Sequence, residues 1–363
     1  MKKRLFLHIL LICIFFTACT NLGYSENLKP PDIEQGRPDA SGNNGYQHHE
    51  YQRFSEMFFD VFDTITEVMG YAKSQEEFDY FSREVIRKEL HRLHQLFDIF
   101  NEYPGINNIY TINHYAGITP VEVDPAIIEL LLLSVEAYNL SDGLLNVVIG
   151  PATNLWREAI AQEKLPNGDD LLAAGELIDI NHLIIDEEMG TVFLQQEGMS
   201  LDVGAIAKGF AIELATQAAK EAGFGSFTLS IGGDVRVSNA PLGERDTWNV
   251  GVTNPEGGAV LDVVSVTNTS VFSSGNYLRY FIVDGQRFHH IIDPRTLMPA
   301  TKHQSVTVVY PDGTMADVLS LVAFILETDQ AMEFLASFGA EGMWVLQDST
   351  VVATPNWSGA GDF

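Results

Sequence analysis

Over residues 51–346 the sequence mixes apolar periodicity with turn residues and shows no linker-like shift in composition. So long an unbroken stretch reads as one domain, or as one domain with two lobes. Phe78, Phe81, Val85, Leu90, Leu93, Phe97 and Phe100 recur close to helical spacing and predict a helix over 76–100. Asp124-Pro125 opens a second helix reaching about Asn139, because an acid can accept from free first-turn amides and proline suits the first helical position. Residues 315–326 and 329–338 read as further helices. Segments Phe227–Ile231, Trp248–Val252, 263–266 and 305–310 are β-rich and bounded by Gly, Pro, Asn or Asp. Strands and helices without strict alternation place the chain in the α+β class, with mixed sheets packed against helices rather than a doubly wound sheet. The sequence contains no internal repeat.

The first 50 residues read differently. Lys2, Lys3 and Arg4 precede an apolar run, 5–16, that is too short to span a bilayer well, and Phe16-Thr17-Ala18-Cys19 follows as a small-residue cleavage site. This resembles a bacterial lipoprotein signal, although Phe16 stands where leucine is usual. Removal of residues 1–18 and acylation of Cys19 would anchor the chain to a membrane on its extracytoplasmic side. An ordinary cleaved signal, or an N-terminal membrane anchor, is the alternative reading. Residues 19–50 are rich in Pro, Gly, Asn and charge and read as a flexible tether with a root-mean-square span on the order of 30 Å.

Charge and cysteine usage narrow the chemistry. Acids outnumber bases 49 to 21, a net charge of -28, which repels nucleic acid and sets that class of partner aside. The same field opposes an anionic nucleotide, so a phosphate ligand needs a cation, a helix terminus and local lysines to hold it. Both cysteines, Cys13 and Cys19, lie in the leader region, so the folded part has no disulfide and no thiolate metal site, and its apolar core has to stabilise it.

Several short motifs can carry chemistry, each with a plainer alternative. Asp202-Val203-Gly204-Ala205-Ile206-Ala207-Lys208-Gly209 puts an acid, small residues and a lysine before a helical pattern, as at a phosphate site on a helix N-terminus, or simply as small residues that allow close packing. Ser230-Ile231-Gly232-Gly233-Asp234 allows close approach of a ligand to backbone, or simply makes a tight turn. Ser141-Asp142-Gly143 precedes the apolar run 144–149 and reads equally as a turn entering a strand. In His289-His290-Ile291-Ile292-Asp293-Pro294 a histidine near a strand end can move a proton near neutral pH, or be a satisfied strand residue. Ser273-Ser274-Gly275-Asn276-Tyr277 offers loop hydroxyls. Thr314-Met315-Ala316-Asp317 fits a capping box, or else supplies a carboxylate to a hard cation.

Taken in order, these segments resemble the ApbE family of FAD:protein FMN transferases over residues 51–363. The resemblance rests on 141–156, 201–209, 231–236, 273–277, 290–299 and Ala316-Asp317. It implies a magnesium-dependent split of FAD at its pyrophosphate, with FMN passing to a Ser or Thr hydroxyl of a partner protein and AMP leaving. The acceptor would be a redox protein associated with the membrane. By position, FAD contacts fall on Asp202, Lys208, Leu144, Leu145, Asn146 and Ile291, where Asn146 replaces a more usual acid. Phe62 and Phe100 stand where the family has Met and Tyr, and the resemblance assigns them to FAD as well, for packing against the flavin and the adenine. The implied metal ligands are the Ala205 carbonyl and Asp317, and His290 is the implied proton-transfer residue. One turn after the Asp the family carries a Thr ligand, whereas this chain has Leu321. Water or Ser320 could fill the place, or the protein could only hold or scavenge FAD, or hydrolyse it as a pyrophosphatase.

Overall fold

The computed structural model describes residues 50–361 apart from Glu244. The leader, the tether and Cys19 lie outside the described residues. An eight-stranded sheet runs through the domain: β1 (Gln52–Val61), β2 (Thr64–Ala72), β3 (Phe227–Ile231), β4 (Asp234–Ser238), β5 (Ser270–Gly275), β6 (His303–Tyr310), β7 (Glu341–Leu346) and β8 (Val351–Ala353). Each strand pairs antiparallel with the next one in this series, so the sheet is a meander interrupted by insertions. An antiparallel neighbour can be rejoined across any length of chain, which lets the insertions leave and return without disturbing the register.

The largest insertion, between β2 and β3, holds α1 (Lys88–Phe97), α2 (Pro125–Leu140), α3 (Gly150–Gln162) and α4 (Ala207–Glu221), together with a small sheet of Val121–Glu122, Leu183–Asp186 and Thr191–Leu194. Between β6 and β7 lies α5 (Gly313–Ile325), followed by the helix Thr328–Phe338. A hairpin of Tyr280–Val283 and Gln286–His289 lies between β5 and β6. One continuous core joins Val121 and Val192 of the small sheet to Val68, Leu229 and Val306 of the large one, and the domain is single. Helix α5 is apolar on nearly every side, with Leu319, Val322, Ala323 and Phe324 fully buried between α4 and the sheet. Leu319, Val322 and Phe324 each contribute roughly 1.5–3 kcal/mol by leaving water.

Most expected elements appear, with three corrections. The helix expected over 76–100 ends at Phe97, because the Asp98 carboxylate accepts from the amides of Phe100 (2.7 Å) and Asn101 (3.1 Å) and turns the chain, leaving Phe100 beyond it. Residues 144–149 form a buried turn rather than a strand. Their backbone pairs at single points with the 200–202 segment, where Asp202 N–H donates to Val147 at 2.7 Å. Helix α5 begins earlier than expected: Asp312, not Thr314, is its cap, accepting from Met315 N–H at 2.8 Å. The capping-box reading of Asp317 is therefore wrong, and its carboxylate is free for another partner.

Candidate functional site

Helices α4 and α5 run antiparallel in close contact, and small residues make the contact possible. Glu213 on α4 accepts from Gly313 N–H at 2.6 Å, and one turn away Asp317 Oδ2 accepts from Gly209 N–H at 2.9 Å. One turn from Glu213 back to Gly209 thus matches one turn from Gly313 forward to Asp317, which brings Asp317 to the N-terminus of α4. Gly209 N–H is a first-turn donor with no partner inside its own helix, and the buried carboxylate satisfies it. The carbonyl of Ala205, the usual acceptor for that amide, receives no hydrogen bond among the described residues. Arg236 on β4 donates to the same Glu213 oxygen at 2.7 Å and ties the helix pair to the sheet.

Lys208, next to Gly209, reaches across to Asp234 at the start of β4 and lies 3.8 Å from Asp317 Oδ1. Asp234 Oδ1 also accepts from Ser273 N–H at 2.9 Å, fixing it at the sheet end. The Gly232-Gly233 turn before it has φ of +65° and +100°, which only glycine adopts readily. Two buried acids therefore flank one half-buried lysine. Burial acts against the Lys208 ammonium, but the charges of Asp234 and Asp317 more than offset it and hold the group above its ordinary range. Burial, with the Asp234 charge adding to it, raises Asp317 above the usual carboxylate range despite Lys208 and the Gly209 amide. A carboxylate kept at such a cost points to function.

His290 is near enough to feel Lys208. Burial first, then the charges of Arg279, His289 and Lys208, push it down to about 3, against a smaller opposing pull from the Arg279 backbone. Its Nδ1 is out of solvent with no hydrogen-bond partner, although the residue as a whole is only half-buried. Neighbouring His289 is satisfied: Nε2 lies 2.6 Å from the Ala300 carbonyl, and Nδ1 is 3.2 Å from Ile291 N–H. A carbonyl only accepts and an amide only donates, so His289 is the neutral Nε2–H tautomer. Burial pushes it down to about 4. Below the ordinary value of 6.5 the unfolded chain binds a proton that the folded chain refuses, so stability falls as pH drops from 6.5 toward 4. His289 alone should cost on the order of 2 kcal/mol between pH 7 and pH 5. Urea unfolding at the two pH values checks this, and His289→Gln should shrink the difference by about that amount, leaving the part that His290 contributes.

The other expected contacts are distributed around this cluster. Asp202 accepts from Gly204 N–H at 3.1 Å and pairs with Arg157, while Asn113 holds both backbone groups of Leu201, at 2.6 and 3.0 Å. Leu144 and Leu145 point into the core, so only their backbone can meet a ligand. Asn146 spends its amide internally, on Ile178 carbonyl (2.9 Å) and Val148 N–H (3.0 Å). Ile291 is buried, and its N–H and carbonyl are both bonded. Phe62 occupies the β1–β2 turn at φ +52°, and its N–H donates to His94 at 3.1 Å. Thr64 of that turn lies against Gly232, so Phe62 shares the sheet end with Asp234. Phe100 is 58% exposed and carries the Arg157 guanidinium on its ring. Arg157, Asn113, Glu213 and Arg279 escaped the sequence reading, since each is one polar residue on a helix or loop with no local motif around it.

Among the described residues no three His, Cys, Asp or Glu side chains cluster as metal ligands. The site does offer the Asp317 carboxylate and the unpartnered Ala205 carbonyl, two hard oxygen donors, with the rest left to water and phosphate. That set suits magnesium, which keeps most of its waters. Leu321 supplies no oxygen. Ser320 is committed, with Oγ 3.0 Å from the Asp317 carbonyl and 2.9 Å from Ser274 Oγ. A separate hollow of about 480 Å³, between α1, α2 and the distal half of α4, is lined by ion-paired Glu89, Arg92 and Asp124 and does not touch the cluster.

The sequence profile of the ApbE family matches residues 62–344. A Klebsiella pneumoniae (strain 342) protein named FAD:protein FMN transferase is 32% identical over 246 residues, 66% of this chain and 76% of that protein. A Treponema pallidum (strain Nichols) protein of the same name is 34% identical over 259 residues, 67% of this chain and 72% of its own length. The crystal structure of the ApbE protein from Thermotoga maritima is similar with a TM-score of 0.74 at 28% identity, covering 84% of this chain and 97% of that one. The flavin transferase ApbE from Vibrio cholerae shares the fold at a TM-score of 0.70 and 19% identity, with coverage of 84% and 97%. With most of its length inside the family profile, the chain belongs to the ApbE family.

Proposed function

We propose that this protein transfers FMN from FAD to a Ser or Thr hydroxyl of a partner protein, releasing AMP. The observation that carries the reading is the Asp317–Lys208–Asp234 cluster at the N-terminus of α4, with both acids buried and the Ala205 carbonyl one turn before Gly209 unpartnered. Lys208 and the helix terminus face the pyrophosphate and neutralise charge that grows on its oxygens. The acceptor oxygen bonds to the FMN phosphorus, the pyrophosphate P–O bond toward AMP breaks, and the imidazole of His290, neutral in the free protein, takes up the hydroxyl proton once the anionic phosphates beside it favour the imidazolium. Magnesium held by Asp317 and the Ala205 carbonyl would supply further charge neutralisation at the same oxygens.

The test is incubation with FAD, magnesium and an acceptor domain bearing an exposed Thr, read by intact mass and AMP analysis. One FMN mass on the acceptor with matching AMP supports transfer. AMP and free FMN without labelling would mean hydrolysis, and intact bound FAD would mean a binding protein. Leu321→Thr adds the oxygen this chain lacks and should lower the magnesium concentration for half-maximal turnover several-fold. A magnesium titration of both proteins checks that, and equal values would remove Leu321 from the account.

The membrane side of the reading rests on the leader alone. No helix among the described residues is long and apolar enough to cross a membrane. Acylated Cys19 and the tether would let the domain search for a membrane-associated redox partner outside the cytoplasm. Cys19→Ala should move the protein out of the membrane fraction, and retention of the variant there would reject the anchor.

A further inference from the structure

Arg157 lies one residue beyond the stretch that carries the family resemblance, on α3, and the mechanism above does not use it. Its guanidinium links two residues far apart in sequence, Phe100 and Asp202, both of which the resemblance assigns to FAD. Nη2 pairs with Asp202 Oδ2 and Nη1 with Asn154 Oδ1, bonds that lie in the guanidinium plane and fix its orientation. The guanidinium lies over the Phe100 ring, with Cζ 5.2 Å from the ring centroid. The Arg157 side chain still keeps 31% of its surface exposed.

We propose that Arg157 is a stacking platform that receives one planar ring of FAD on the guanidinium face opposite Phe100, giving a ring–guanidinium–phenyl sandwich. The inference rests on the flavin reading above and deepens it. Asp202 cancels the charge of Arg157, so the platform acts through its plane rather than as a cation for phosphate. Planarity, fixed edges and a backing aromatic are what base stacking on arginine requires. A lysine supplies the charge but no plane. The ring can be the isoalloxazine or the adenine, since both are flat and aromatic.

The experiment measures equilibrium binding of FAD, FMN and AMP separately to the full chain, without acceptor and with magnesium chelated to prevent turnover. Wild type, Arg157→Lys, Arg157→Ala and Phe100→Ala are compared. The expected result is a loss of FAD affinity of about ten-fold or more in both Arg157 variants, with a smaller loss in Phe100→Ala. One half-ligand should lose the same factor and the other should keep wild-type affinity: FMN weakened identifies the isoalloxazine, AMP weakened the adenine. Wild-type affinity in Arg157→Lys would reduce the residue to a charge and overturn the platform. Unchanged affinity in Arg157→Ala, or equal loss for FMN and AMP as from a generally loosened site, would overturn it as well. Failure of wild type to bind any of the three, with magnesium present as well as chelated, would reject the flavin reading itself, and this inference with it.

Discussion

Asp317→Asn should leave the protein folded and reduce turnover of FAD by about 10²–10³-fold, the usual cost of removing one preorganised electrostatic group from a phosphoryl or acyl transfer site. Asparagine has the same shape and keeps an oxygen for the Gly209 N–H, so the α4–α5 contact survives. What disappears is the negative charge that faces Lys208 and would hold the metal. The effect on stability has the opposite sign. Burial raises the Asp317 carboxyl above its ordinary range, so its ionised form is worse accommodated in the fold than in the unfolded chain. That contribution favours folding at low pH and is lost as pH rises through the folded value, so at neutral pH the neutral amide should melt no lower than wild type. Thermal melting and the transfer assay on the same preparation separate the two effects. A variant that turns over FAD at the wild-type rate would exclude Asp317 from the chemistry.

The second large effect is steric. A Cβ on Gly209 would sit 2.4 Å from the Gly313 carbonyl oxygen, 3.0 Å from its carbon and 2.8 Å from Asp317 Cβ. None of these atoms can rotate away, so α4 and α5 must separate. Gly209→Ala should therefore destabilise the fold by roughly 1–3 kcal/mol, as overpacking does. The helix-propensity gain of up to about 1 kcal/mol for alanine over glycine works against this and is smaller. The same separation lengthens the Gly209 N–H to Asp317 bond and draws the carboxylate from Lys208, so turnover should drop with stability. Urea unfolding and turnover at one temperature test this, and a variant as stable and as active as wild type would show that the close approach is not needed.

The two substitutions also mark where sequence reasoning stops. Local chemistry was legible: Asp124 caps α2 because its carboxylate lies within reach of the Ala126 amide, at 2.9 Å, and Phe227–Ile231 is a strand bounded as its composition implies. Where local signals compete, the reading failed. Asp312 and Thr314 can both cap a helix, and Asp312 won by reaching Met315. The apolar run 144–149 has strand composition, yet Ser141 Oγ accepts from Leu145 N–H at 3.0 Å and Asn146 from Val148 N–H, so the backbone turns instead.

The sequence by itself determined the α+β class, most of the helices and strands, and the short motifs that hold Lys208, Asp234, His290 and Asp317, because these depend on residues two to four positions apart. Only the tertiary structure decided which of them act together. Asp317 meets Gly209 across 108 residues, Lys208 meets Asp234 across 26, and Arg157 meets Asp202 across 45. No periodicity records such pairs. They follow from one helix packing against another at a distance set by glycine, and from a meander that brings the end of one strand beside the start of a helix.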